Sequence, residues 1–226
     1  MFFYDYYTLV ILLPLMVLSF IVQAVLNSSY SKYSKIQNSK RTTGCEIAHT
    51  ILRNAGIFDV SVECIGGNLS DHFDPTKKVI RLSEKVYNGT SIAAIGVAAH
   101  ETGHALQYAA EYTPIKIRSS IIGITNFSSK ILYILIILSF IAQIPLICNI
   151  AVICFFIIFL FQLLTLPVEF NASARAVENI GNMGYNDDDL HGVKKVLTAA
   201  AMTYVMAMLV ALGQMITFIL RTRKRD

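Results

Sequence analysis

His100-Glu101-Thr102-Gly103-His104 holds the side chains best equipped for chemistry in this chain. Two histidines four apart share one face of a helix, so both imidazoles can reach a single metal ion. Glu101 points about 100° further round the helix. From there a carboxylate can take a proton from a metal-polarised water as that water attacks a carbonyl. This is the working core of a zinc hydrolase. Random placement in a chain of this composition gives about 0.003 such pentads, so chance is a poor explanation. The flanks agree. Asn88-Gly89 punctuates the chain, Thr90 or Ser91 can cap a helix, and Thr113-Pro114 can end it. Thr102 and Gly103 are small and uncharged, so nothing crowds a metal between the two histidines.

A catalytic zinc needs three protein ligands and a water. After the pentad the candidates are few. His191 lies in Asn186-Asp187-Asp188-Asp189-Leu190-His191, which reads as an exposed loop with a solvated histidine. Glu169 follows Leu166-Pro167, and Pro167 suits the first turn of a helix. A carboxylate at a membrane boundary can be merely solvated, yet a second helix there can bring Glu169 to the first.

Short elements must position these groups. Thr43-Gly44-Cys45-Glu46 reads as a capping box opening a helix to about Asn54, with Gly56 ending it. Asp59 to Ile65 alternates as a strand. Gly66-Gly67-Asn68 turns the chain. Leu69 to Phe73 and Val79 to Ser83 read as two more strands around an Asp74-Pro75-Thr76-Lys77 turn. A helix, three short strands and a metal-binding helix, in that order, suit a small zincin-like fold.

The rest of the chain is built for a bilayer. It is 54% hydrophobic, 15% charged, and has a mean hydropathy of +0.55, too apolar for an ordinary soluble domain. Phe2 to Leu26 has one charge, Asp5, and reads as an anchor rather than a cleaved signal, lacking a basic leading region. Ile131 to Leu166 has none, with Pro145 near its middle, and reads as a hairpin of two spans whose first helix starts near Ile121. Val196 to Leu220 is a fourth apolar run. Lys32, Lys35, Lys40 and Arg41 follow the first span, which puts residues 27 to 120 in the cytoplasm. The Arg221-Thr222-Arg223-Lys224-Arg225 tail opposes that orientation if the last run spans, and the sequence leaves the matter open. The net charge of +4 flanks apolar segments, which fits anionic headgroups and no nucleic acid. Cys45, Cys64, Cys148 and Cys154 read as four free buried thiols.

AAHETGHALQ, then LPVEFNASARA, then AAAMTYVMA resemble the bacterial neutral zinc metallopeptidases of the YugP type. The element order also looks like that of the HtpX and CAAX-prenyl proteases. The resemblance implies that His100, His104 and Glu169 bind Zn2+ and that Glu101 is the general base. It implies a multi-pass protease of the bacterial cell membrane whose site faces the cytoplasm. One departure stands out. The HtpX-like pattern has an acid four residues after the ligand glutamate, and here that position is Ser173. Support of the ligands must then come from Ser173, from Asn171 or from elsewhere. Arg175 matches a basic residue of the pattern and reads either as holding a carboxylate or as an ordinary surface arginine. By the same resemblance, Asp71-His72-Phe73-Asp74 is the edge strand beside the site. His72 there reads as a substrate or intermediate contact, or as a turn histidine held by Asp74. Tyr204, on the last helix, reads as an oxyanion donor or as packing.

The expectation is an α-rich integral membrane protein with a small α+β zincin-like domain containing a short β-hairpin sheet. Its segments are an anchor at 1–26, the metal-helix domain at 27–120, a transmembrane hairpin at 121–166, a third-ligand helix and loop at 167–195, and a last apolar helix with basic tail at 196–226. Its partners are a protein or peptide substrate and the lipid bilayer; the oligomeric state is unknown. Two rivals are weaker. A site-2-type intramembrane protease carries an Asp-Gly ligand motif, and this chain has no Asp-Gly pair. A non-catalytic, zinc-stabilised membrane scaffold has no use for Glu101.

Overall fold

A computed structural model of the protein describes residues 6–67, 70–142 and 144–223. Phe2 to Asp5, the Asn68 of the expected turn, the Leu69 start of the expected second strand and the Lys224-Arg225 end of the tail lie outside the described residues. The protein is α-rich. A π-helical turn, Thr8–Leu12, leads into α1 (Leu13–Tyr33), and α2 spans Gly44–Asn54. Three strands follow: β1 (Ser61–Ile65), β2 (His72–Asp74) and β3 (Val79–Ser83). Then come α3 (Glu84–Tyr87), α4 (Ile92–Ala109), α5 (Thr113–Ala142), α6 (Pro145–Asn182) and α7 (Asp187–Arg223). Among the described residues, four helical stretches are long and apolar enough to cross a membrane: Thr8–Tyr33, Thr113–Ser139, Pro145–Asn182 and Asp187–Thr222. The expected class, a membrane protein carrying a small α+β domain, is the one observed.

The chain divides into two compact units. One comprises Ala24–Ile115 and Pro167–Met202, the other Met1–Gln23, Lys116–Leu166 and Thr203–Asp226. In the first unit, α2 starts where Thr43 and Glu46 cap each other. The Thr43 hydroxyl accepts from the Glu46 N–H at 3.2 Å, and the Glu46 carboxylate accepts from the Thr43 N–H at 2.7 Å. Gly56, at φ +70°, supplies the left-handed turn after it. The buried face of α2 (Ile47, Ala48, Ile51 and Leu52) joins Ile80, Leu82, Val86, Ile95, Ile180 and Val193 in one core. The sheet order is β1-β3-β2, with β1 parallel and β2 antiparallel to β3, and His72 opposite Arg81. The Asp71 carboxylate accepts from the Ser83 N–H at 2.7 Å, which ties the entry of β2 to the end of β3.

In the second unit, Leu132, Leu135, Phe155 and Phe218 form a separate core. A Cβ on Gly213 of α7 would meet the Leu15 side chain of α1 at 2.6 Å, so the missing side chain permits that approach. The Arg221 guanidinium donates to the Thr8 hydroxyl.

Several boundaries differ from expectation. Residues 27–33 extend α1 instead of starting a linker. Helix α5 begins at Thr113, well before Ile121, because Pro114 sits in its first turn, where a missing N–H costs nothing. Pro167 lies inside α6 rather than opening a new helix. Apolar spanning helices tolerate such a proline, and here Val168, Ala172 and Ala176 pin the following turns by burial. His191 belongs to the first turns of α7, not to a loop, since Asp187, Asp188 and Asp189 favour a helix N-terminus there. All four cysteines are free, but Cys64 is exposed on the edge strand β1 and only Cys154 is fully buried.

Candidate metal centre

Helix α4 is capped by Ser91, whose hydroxyl accepts from the Ala94 N–H at 3.1 Å. Its small residues Ala93, Ala94, Ala98 and Ala99 are buried, so the helix runs through the core and its register is fixed by packing. That register puts His100 and His104 side by side, with ring centroids 4.8 Å apart. Helix α6 brings Glu169, which is 2% exposed. Glu169 Oε2 lies 3.3 Å from His100 Nε2 and 3.7 Å from His104 Nε2. The three donor atoms fall within 4.8 Å of one another. A tetrahedral zinc with nitrogen and oxygen donors at about 2.1 Å holds them about 3.4 Å apart. The two Glu169–imidazole separations match that spacing, and the widest pair must draw in to share one ion.

The close approach of the two helices depends on Gly103. A Cβ there would lie 2.7 Å from the Ala172 carbonyl oxygen on α6. Thr102 turns away from the ligands, its hydroxyl donating to the Ala98 carbonyl at 2.7 Å.

The ring nitrogens facing away from Glu169 are also held. His100 Nδ1 is 3.2 Å from the Ser173 hydroxyl, and His104 Nδ1 is 3.0 Å from Gln107 Oε1. The serine that replaces the acid of the HtpX-like pattern therefore contacts a candidate ligand itself. Asn171 and Arg175 stand one and two links behind Gln107. The Gln107 amide donates to Asn171 Oδ1 at 3.0 Å, and Arg175 Nε donates to the same oxygen at 2.8 Å. Burial pushes His104 toward the neutral form, but Glu169 and Glu101 outweigh it and hold the imidazole above its usual range.

Residues 8–223 match the family described as "Putative neutral zinc metallopeptidase". The chain belongs to that family. It is also 44% identical, over 204 residues, to "Putative membrane protease YugP" of Bacillus subtilis (strain 168), covering 90% of this chain and 91% of that relative. No solved structure matches the chain. The resemblance carried by AAHETGHALQ and LPVEFNASARA is thus confirmed at the level of the family. The family's description names zinc, the metal that two imidazoles and a carboxylate suit.

The remaining candidates are not among the three grouped donors. His72 Nδ1 is 2.7 Å from the Ser70 carbonyl, and Arg81 approaches its Nε2 at 3.4 Å. Phe73 packs edge-on against Tyr108 of α4, and strand alternation sets His72 on the opposite face of the sheet. Asp74 bonds Arg81 and the turn amides of Thr76 and Lys77, not His72. Tyr204 lies on α7 beyond the boundary of the unit that holds the donors. His191 is exposed on α7 and outside the donor group. Sequence reasoning passed over Gln107. The one signal for it was an amide three residues after His104, on the same helical face.

Proposed function

We propose that the protein is a membrane-anchored, zinc-dependent endopeptidase that hydrolyses peptide bonds of membrane or membrane-proximal proteins. The observation that carries this reading is the convergence of His100, His104 and Glu169 beside Glu101. His100, His104 and Glu169 hold the zinc. When bound, the ion supplies Lewis acidity, which brings the pKa of water to about 7 and polarises a carbonyl. Glu101, adjacent to His100 and half-buried, takes the proton of the attacking water and delivers it to the leaving amine. Ser173 and Gln107 keep the two imidazoles turned toward Glu169. The β2 edge offers backbone groups to which an extended peptide can add, with Phe73 and Tyr108 beneath it and His72 tuning the outer face.

The site faces the cytoplasm in this proposal. Each candidate span has one end in each unit. Lys32, Lys35, Lys40, Arg41, Arg175, Lys194 and Lys195 belong to the unit that holds the site, and they outnumber the basic residues of the tail. Four spans then put both chain ends on the outer side, which agrees with the hydrogen bond from Arg221 to Thr8.

Metal analysis joined to casein cleavage and self-cleavage tests the reading. Wild type should hold about one zinc per chain and cleave. Glu101→Gln should keep the zinc and lose at least about a hundredfold in rate. A zinc-loaded Glu101→Gln protein with near-normal turnover removes Glu101 from the mechanism.

A further inference from the structure

Gln107 is a fully buried amide on α4. Burying a primary amide is costly unless all its groups are satisfied, and here they are. Its nitrogen donates to the Val168 carbonyl at 2.7 Å and to Asn171 Oδ1 at 3.0 Å. Its oxygen faces His104 Nδ1 at 3.0 Å. Two independent anchors dictate this orientation. A backbone carbonyl can only accept, so the end of Gln107 at Val168 must be the NH2 group. A guanidinium can only donate, so the Asn171 atom shared with Arg175 must be oxygen, and again Gln107 must present NH2 to it. The Gln107 oxygen is therefore left for His104, whose Nδ1 must carry the hydrogen.

We propose that Gln107 is a positioning residue, oriented by Arg175 through Asn171, that locks neutral His104 in the Nδ1–H tautomer and so leaves the Nε2 lone pair for the metal. This rests on the reading of His100, His104 and Glu169 as the ligands. His100 is treated differently, because the Ser173 hydroxyl can donate or accept and enforces neither tautomer. The two histidines of one motif are thus unequal: α6 dictates the tautomer of one and leaves the other free.

The test uses the full-length protein in detergent, stripped of metal, at a pH where imidazole is neutral. Nitrogen-15 spectra of labelled histidine, with His104 assigned by comparison with His104→Ala, should show wild-type His104 as the Nδ1–H tautomer. Gln107→Met should populate the Nε2–H form. It should also weaken zinc about tenfold to a hundredfold, measured by competition with a chromophoric chelator. Arg175→Met, which touches no ligand, should weaken zinc less. It should have no further effect in the Gln107→Met background, because the two act along one path. An Nε2–H tautomer in the wild type overturns the relay whether or not variants fold. So does wild-type zinc affinity in Gln107→Met, or strict additivity of the two substitutions. Zinc that survives His104→Ala overturns the ligand assignment instead, and the metal-free spectrum still decides the relay.

Discussion

In the proposed site, His104 couples metal, proton and pH. Its raised proton affinity in the metal-free protein comes from Glu169 and Glu101 overcoming burial. A histidine raised in the folded state contributes stability that is present below its unfolded value and lost as pH rises through the folded one. Metal-free protein should therefore melt at lower temperature as pH climbs through and above the imidazole range. Zinc competes with the same proton, so its affinity should climb over that interval. Thermal melts and chelator competition across one pH series check both slopes, and parallel slopes would contradict this coupling. Replacing His100, His104 or Glu169 singly by Ala should remove most of the bound zinc, read by elemental analysis. Full occupancy in Glu169→Ala would move the third ligand elsewhere. The histidine pair was legible in the sequence because helical spacing alone puts both on one face. Glu169 needed resemblance, and Gln107 was silent, because its bonding depends on α6 arriving beside α4.

Elements matter here through how closely they approach. Gly103 lets the backbone of α6 lie against α4, with no room for a Cβ before the Ala172 carbonyl. Gly103→Val should cost about 1–3 kcal/mol in stability and should also lower zinc content, since it drives Glu169 away from the histidines. Unchanged zinc with reduced stability would separate the packing from the site. Helix α2 offers a control that carries none of the donors. Thr43→Ala should cost about 1 kcal/mol and leave zinc untouched. The Thr43 N–H and hydroxyl hold the Glu46 carboxyl below its usual range. That contribution is present above the ordinary carboxylate range and fades as pH falls through the lowered value. Denaturation at neutral and acid pH should thus show the Thr43→Ala penalty shrinking in acid. The capping box was readable because it is local, four residues long and chemically reciprocal. The start of α5 and the passage of α6 through Pro167 were not. A proline announces where a helix can begin but carries no record of the packing that lets one continue.

For the whole molecule, the proposed orientation has all four candidate spans cross, which places Thr8 and Arg221 on the same side. Cysteine labelling in intact cells, in a background lacking the four native cysteines, should find positions near Lys40 protected and positions near Pro145 and Arg221 accessible from outside. External labelling near Lys40 would invert the orientation and put the site outside. That Arg221 is tied to Thr8 was not legible in the sequence, because charge counting cannot see a contact between residues so far apart in the chain.

The ligands also arrive in a fixed order during synthesis. His100 and His104 leave the ribosome with α4, whereas Glu169 follows only after α5 and the apolar first part of α6. A nascent or stalled chain thus carries the histidine pair and Glu101 without the carboxylate that would complete the proposed set. On the proposed ligand assignment, the three donors cannot meet until the hairpin has been made. In that proposal the length of chain between α4 and Glu169 sets the delay before the metal site can assemble.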